Sequence, residues 1–360
     1  MKHKLALIST NKNKFSETFI QRQIQDLPQE VVLYSEGYLP KQISTNRGLS
    51  FKNLPNSIWK TRNDLEGLKQ SFKKRKIEVV LTQYGPSGVE LMPICHELKI
   101  PLIVHFHGYD AYRNDVLQSY GKSYSDLFRI AKAIVVVSKD MVHQLEKLAC
   151  PSNKIHFIPY GIDSNLFKPS KTLIKKTFIS CGRFVEKKGH KYSLKAFKRL
   201  LIKHPETILK LIGDGPLKEE LEQFVKTEKL HKNVEFLGIL SPKAVAKELQ
   251  SASCYIQHSI TTDDNDSEGT PLSILEALSS EIPVISTKHA GIVDLIQEGK
   301  NGFLVAEKDV ESMYKKMLEI NNSPDLAKKM GINGRELILS NYRKERYLSD
   351  LSQLINSCLD

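Results

Sequence analysis

Apolar residues fall along this chain in two alternating rhythms. Short unbroken aliphatic runs are separated by longer stretches in which apolar positions recur three or four apart. Runs of the first kind are Leu5-Ala6-Leu7-Ile8, Val31-Val32-Leu33-Tyr34, Val79-Val80-Leu81-Thr82, Leu102-Ile103-Val104-His105 and Ala133 to Val137. After Pro169 the pattern restarts with Thr177-Phe178-Ile179-Ser180, Leu209-Lys210-Leu211-Ile212, Val234-Glu235-Phe236-Leu237, Cys254-Tyr255-Ile256-Gln257 and Pro283-Val284-Ile285-Ser286. Unbroken runs with helices between them predict parallel strands covered on both faces. Two such series predict an α/β fold of two facing, doubly wound, Rossmann-like domains. The domains are expected over residues 1–165 and 166–340, with the joint near Pro159 to Lys176, where Pro159, Gly161 and Pro169 break the pattern. The final helix, in 341–360, is a candidate to cross back to the first domain.

Composition agrees with this picture and narrows it. The chain has 360 residues, 40% hydrophobic and 26% charged, which supports two proper cores and excludes wholesale disorder. No apolar run approaches the ~20 residues of a membrane span. Met1 to Thr10 lacks a signal-peptide core and reads as a first buried strand. Cys95, Cys150, Cys181, Cys254 and Cys358 are odd in number and scattered, so neither a disulfide framework nor a zinc cluster is expected, and a reducing cytosol is.

The formal charge of +12 invites a nucleic-acid partner. Of 53 basic residues, however, 42 are Lys and 11 Arg, whereas nucleic-acid surfaces lean on Arg for bidentate contacts. Background composition explains the lysines at least as well, and no nucleic acid is expected. Residues 1–165 carry +8 of the charge and the remainder +4. The densest cluster, Lys69, Lys73, Lys74, Arg75 and Lys76, shares a stretch with Leu65, Leu68 and Phe72 at helical spacing. Such a helix is a candidate for contact with an anionic membrane surface; a solvated helix face explains it equally well.

In open α/β sheets, ligands bind beyond the carboxyl ends of the strands, and the informative residues follow the strands here. Gly182 permits a tight exit turn, and Arg183 and Lys188 then place two cations together, either a clamp for a diphosphate or a solvated basic loop. Gly213 and Gly215 offer close backbone approach, at a spacing too short for a dinucleotide fingerprint. In Glu268-Gly269-Thr270-Pro271-Leu272-Ser273-Ile274-Leu275-Glu276, Thr270 reads as an N-cap and Pro271 as the first helical residue, giving an amide-rich end suited to phosphate. Helical rise puts the two glutamates roughly 8–12 Å apart. That suits a ligand with hydroxyls at both ends and phosphate between, a nucleotide-sugar; the alternative is a capped surface helix with solvated glutamates. Asp263-Asp264-Asn265-Asp266 has the look of an Asp-x-Asp metal site, but reads better as a mobile acidic loop, and no metal is expected. In the first half, His105-Phe106-His107-Gly108-Tyr109-Asp110 and Gln83-Tyr84-Gly85 follow strands. Asp110 is expected to orient the His107 imidazole. A hydrolase is not supported, because no serine or cysteine sits on a nucleophile elbow.

Glu268 and Glu276, within Glu-Gly-Thr-Pro-Leu-Ser-Ile-Leu-Glu-Ala, resemble the paired-glutamate motif of family-4 retaining glycosyltransferases with the GT-B fold. Also similar are Gly182-Arg183 to Lys188-Gly189, Gly213-Asp214-Gly215-Pro216, Pro159-Tyr160-Gly161-Ile162-Asp163, His289-Ala290-Gly291-Ile292 and Asn301-Gly302-Phe303-Leu304-Val305. The resemblance covers nearly the whole chain and is densest between residues 156 and 310. It implies that Arg183 and Lys188 hold a donor diphosphate, helped by backbone amides from Gly269 through Thr270 to Leu272. Glu276 then accepts from ribose hydroxyls and Glu268 from the transferred sugar. Gly213, Gly215 and the segment around Gly238 line the nucleotide pocket, and His107 lies beside the sugar. The implied co-substrate is a UDP- or GDP-sugar, with no cofactor and no metal.

The segment after the first strand, Asn11 to Ile20, lacks the glycine pair of many relatives. Its Ser16-Glu17-Thr18-Phe19 run resembles instead the branch that builds colanic acid and other exopolysaccharides. That implies a glycan acceptor carried on a lipid diphosphate, with Ser16, Tyr84 and Asp110 on the acceptor side, and a cytoplasmic enzyme peripheral to the inner membrane face. Two alternatives stand beside a hexosyltransferase: a nucleotide-sugar epimerase of the same fold, and a non-catalytic basic protein binding nucleic acid.

Overall fold

A computed structural model describes residues 2–11, 17–45, 63–170 and 176–359. The chain divides into two compact units, residues 1–159 with 347–360, and residues 160–346.

The first unit is built on seven strands: β1 Lys4–Ser9, β2 Glu30–Ser35, β3 Gln42–Thr45, β4 Val79–Gln83, β5 Leu102–His105, β6 Ala133–Val136 and β7 Ile155–Phe157. Their order is β3-β2-β1-β4-β5-β6-β7, parallel throughout except for the antiparallel β2–β3 pair. β1 and β4 form the centre, and Leu5 to Ile8 and Val79 to Leu81 are fully buried, as unbroken apolar runs require. The edge strands β3 and β7 were not expected from the sequence. Each is short and half-polar, because an edge strand need bury only part of its surface.

In the helix Asn63–Arg75, Leu68 and Phe72 are buried, and the Phe72 ring meets Tyr34 edge-on at 5.2 Å. The apolar stripe proposed for membrane contact is therefore spent on the core of its own unit. Lys69 pairs with Glu97 and with Glu66, while Lys73, Lys74 and Lys76 remain exposed. The helix Lys344–Ser357 buries Tyr347, Leu351 and Ile355, and its Ser352 and Asn356 accept from Gln29 Nε2 at 3.0 and 3.1 Å.

The second unit holds β8 Thr177–Cys181, β9 Ile208–Ile212, β10 Val234–Gly238, β11 Cys254–Gln257, β12 Val284–Thr287 and β13 Gly302–Val305. All are parallel, in the order β10-β9-β8-β11-β12-β13. Its core gathers Phe178, Phe184, Phe197, Leu209 and Ile256 with Met313 and Met317 from the helix Val310–Asn322. β12 begins one residue later than the apolar run suggested, after Pro283, which has no N–H for the ladder. The helix after β11 is Leu272–Ser279, and its N-cap is Pro271, extended at ψ 113, with no side-chain cap bond. This corrects the expectation that Thr270 caps the helix and that Pro271 opens it.

Among the described residues, no helix is long and apolar enough to cross a membrane.

Candidate active site

In the second sheet the strand order reverses between β8 and β11, so the loops leaving their carboxyl ends open a crevice there. Two ion pairs join those loops. Lys188 Nζ lies 2.9 Å from Glu268 Oε1, and Lys187 Nζ lies 2.8 Å from Asp266 Oδ1. The first pair is the more deeply buried, with side chains 13% and 8% exposed. Burial alone would raise the Glu268 carboxyl, but Lys188 and then Lys187 outweigh it and hold the group at about 2. Lys188 is thus already neutralised by a carboxylate, which a phosphate would have to share. Arg183, in the same loop, is exposed and makes no ion pair among the described residues. Its carbonyl accepts from His190 Nε2 at 3.3 Å.

Glu276 stands half-buried in the second turn of Leu272–Ser279. Its charge adds to burial in pushing the Cys181 thiol up to about 12 and the Tyr255 phenol well above its usual range. Glu276 therefore lies near Cys181, the last residue of β8, and near the Tyr255 hydroxyl. The Tyr255 hydroxyl ties this region together, 3.0 Å from Cys181 O and 2.8 Å from Ser273 Oγ. Gly269 and Thr270 are buried in the preceding loop, and Leu272 is half-buried.

The glycines of the next loop have a cause inside the protein. Gly213 has φ +139, and a Cβ there would stand 1.9 Å from Gly182 O; at Gly215, φ +158, it would stand 2.6 Å from Phe184 O. The backbone these glycines admit is that of the Gly182–Phe184 loop. Gly238, φ +65, accepts from Gly213 N at 2.8 Å and has open space where a Cβ would go. Gly213, Gly215, Gly238, Arg183, Lys188, Glu268 and Glu276 thus gather at one end of one sheet.

The acidic segment is a closed turn. Asp266 N donates to Thr262 Oγ1 at 2.8 Å, Asn265 N to Thr262 O at 2.9 Å, and Asp266 is committed to Lys187. Among the described residues, no group of three or more His, Cys, Asp or Glu is placed to hold a metal ion.

In the first unit the order reverses between β1 and β4. His107 follows β5, and its Nε2 lies 2.8 Å from Gln83 Oε1. Gln83 Nε2 donates to Gln23 Oε1 at 2.8 Å, and Gln23 Nε2 in turn to the Tyr347 hydroxyl. The donor direction of this buried chain gives His107 a proton on Nε2. Burial, reinforced by His105, holds the imidazole well below its usual range. Asp110 does not serve the ring, contrary to expectation: its carboxylate accepts the backbone N–H groups of Gly85, His107 and Gly108 at 3.0, 3.0 and 2.9 Å. It orders the loop that carries His107. Burial raises its carboxyl to about 6 even though these three bonds oppose the shift. Tyr84, at φ 75, packs its ring 4.8 Å from His107 and 5.0 Å from Tyr109, and its hydroxyl donates to Glu17 Oε1 at 3.1 Å. Ser16 lies outside the described residues. Sequence reasoning named Gln83 only within the Gln83-Tyr84-Gly85 stretch and assigned no role to Gln23 or Glu307, whose partners lie far off in sequence.

The chain matches the profile "Glycosyltransferase Family 4" over residues 20–166 and "Glycosyl transferases group 1" over residues 162–337. It is 27% identical over 287 residues to WcaL of Salmonella typhimurium, a glycosyltransferase assigned to colanic acid biosynthesis, covering 78% of this chain and 70% of that one. It is 28% identical over 250 residues to the amylovoran biosynthesis glycosyltransferase AmsK of Erwinia amylovora, covering 68% of this chain and 61% of that one. The chain thus spans less than two thirds of AmsK's length. Among solved structures it resembles Anabaena HepE in complex with UDP, with a TM-score of 0.81 and 17% identity over 99% of this chain and all of that one. Sucrose-phosphate synthase from Thermosynechococcus elongatus gives a TM-score of 0.78 at 17% identity, covering 99% of each chain. Two family profiles running in sequence from residue 20 to residue 337, on two doubly wound sheets of the GT-B kind, place the chain in the family-4 glycosyltransferases.

Proposed function

We propose that the protein transfers a hexose from a nucleotide-sugar, UDP- or GDP-linked, to a glycan acceptor in the building of an exopolysaccharide, with retention at the anomeric carbon. The observation that carries the reading is the convergence of Arg183, the Lys188–Glu268 pair and Glu276 where the second sheet reverses its strand order. On this reading the donor diphosphate lies against Arg183 and Lys188, whose charge stabilises the departing nucleotide without a metal. Glu276 accepts from ribose hydroxyls, and Glu268 from the hexose. The bond from the anomeric carbon to the diphosphate oxygen breaks, and the acceptor hydroxyl bonds the same face of that carbon. Its proton passes to the leaving phosphate oxygen, so no side chain acts as nucleophile. His107, neutral, serves the sugar as a hydrogen-bonding group.

The names of WcaL and AmsK support the exopolysaccharide assignment, and HepE, solved with UDP-glucose, supports the donor class. The acceptor is proposed to be lipid-linked. The exposed Lys73, Lys74 and Lys76 would meet an anionic inner leaflet by charge alone, since Leu68 and Phe72 are buried.

A thermal-shift series with UDP-, GDP- and ADP-sugars tests the reading. A clear rise in Tm with a UDP- or GDP-sugar, lost in Lys188→Ala, is expected. No response to any of them sinks it, and conversion of the sugar without an acceptor would favour an epimerase.

A further inference from the structure

Four residues at the carboxyl ends of four neighbouring strands of the second unit are linked in succession. Glu307 follows β13, His289 follows β12, Glu268 follows β11 and Lys188 follows β8, in the order in which these strands lie side by side. His289 Nδ1 lies 2.6 Å from Glu307 Oε1, and His289 Nε2 receives the Glu268 backbone N–H at 3.1 Å. Ser267 Oγ lies 3.2 Å from the same Nε2. A backbone amide can only donate, so Nε2 is bare, the Ser267 hydroxyl donates to it, and the proton sits on Nδ1, facing Glu307. Protonating Nε2 would set a donor against the Glu268 amide. One tautomer alone satisfies the chain, and Glu307 selects it.

Glu307 also grips the other side of the same loop. Thr261 N donates to Glu307 Oε2 at 2.8 Å and Thr261 Oγ1 lies 3.3 Å from Oε1. The stretch between β11 and the helix Leu272–Ser279 has no regular structure of its own, and loops of that length need fixing from outside. Glu307 holds it before the acidic turn directly and after the turn through His289. The burial of His289 and Glu268, 2% and 6% exposed, keeps water from replacing the bond between them.

We propose that Glu307 is a positioning residue: through the His289 tautomer it sets, it places Glu268 for contact with the transferred sugar, while taking no part in holding the nucleotide. The proposal rests on the reading of Glu268 given above. Where a carboxylate orients a metal-ligating histidine its loss costs roughly 10–100-fold, and the low end of that range is the scale expected of this histidine.

The test compares two ligands by calorimetry: the nucleotide-sugar giving the largest thermal shift, and its free nucleoside diphosphate. In Glu307→Gln a single carbonyl cannot serve both the His289 and the Thr261 donors. Affinity for the nucleotide-sugar should fall about tenfold, and affinity for the free diphosphate by clearly less, since Glu268 also meets Lys188. Glu307→Asp, which keeps both acceptor oxygens, should recover part of the loss. His289→Gln offers a carbonyl where Nε2 stood, and in that background Glu307→Gln should lose most of its effect, keeping only what the Thr261 bonds contribute. Equal loss for both ligands, or an undiminished effect of Glu307→Gln in the His289→Gln background, overturns the positioning role. Failure of the wild type to bind any nucleotide-sugar overturns the donor reading first, and the two failures are thereby distinguished.

Discussion

Lys188 and Glu268 meet at 2.9 Å although they leave different strands, and their contact joins the two loops where the second sheet reverses its order. A carboxylate this deeply buried depends on its partner. Lys188→Ala should destabilise the protein by about 3 kcal/mol, read as a lower urea midpoint with an unchanged slope. The double replacement Lys188→Met with Glu268→Leu removes both charges and should restore most of that stability while abolishing donor binding. A double variant as unstable as Lys188→Ala would show that the charge pair is not the cause.

Acid should unfold the protein in two stages of known sign. Burial depresses His105 to about 3 and His190 and His258 to about 4, from an ordinary 6.5. The unfolded chain takes up these protons first, so stability falls as pH drops below 6.5, by about 1.4 kcal/mol per pH unit for each histidine. Asp110, raised to about 6, works in the opposite direction because its folded form binds a proton sooner. Glu268, lowered from 4.5 to about 2, contributes stability above pH 4.5 that disappears as pH falls through 2, about 3 kcal/mol in all. Urea midpoints between pH 7 and pH 3 should show the first loss in both the wild type and Glu268→Gln. The second loss should begin only in the wild type.

Glu276→Ala should act on binding and leave the fold alone. The side chain is half-buried on a helix that packs through Ile274, Leu275 and Leu278, so little stability rests on it. Loss of a hydrogen bond to a charged acceptor should weaken nucleoside diphosphate binding by roughly tenfold or more. Calorimetry with UDP and GDP, beside a melting curve, separates the two effects; unchanged affinity would remove Glu276 from the nucleotide site.

Two glycines with positive φ should respond differently to alanine. Gly213→Ala adds a clash with Gly182 O at 1.9 Å to a φ of +139, and Gly238→Ala meets no atom within 4 Å at φ +65. The second change costs only the left-handed backbone, about 1 kcal/mol. The first should cost several times more and displace the Arg183 loop, so nucleotide-sugar affinity should fall as well. Comparable urea midpoints for the two variants would contradict this packing.

The central strands were legible because a parallel strand buried on both faces leaves an unbroken apolar run, as in Val79-Val80-Leu81. The edges of the first sheet were not: in β3, Gln42-Ile43-Ser44-Thr45, Ile43 is the one apolar residue, and the run reads as a loop. The paired glutamates were legible from their motif, and their company at one sheet end follows from strand order. The link from His289 to Glu307 was hidden, since the two are 18 residues apart and meet only because β12 and β13 are neighbours. Asp110 misled for a local reason. It lies three residues from His107, within reach of the ring, yet the nearer backbone N–H groups take its oxygens first.

Residues 347–360 belong to the first compact unit, where Tyr347 meets Gln23 and Ser352 meets Gln29. The second unit, 160–346, is contiguous in sequence and interrupts the first. Domains form largely in the order in which they leave the ribosome. Here that order is inverted: the unit carrying Glu268 has its full complement of residues before the unit carrying His107. Until residues 347–360 have been synthesised, Gln23 lacks its Tyr347 partner and Gln29 lacks Ser352 and Asn356, so the first unit stays incomplete.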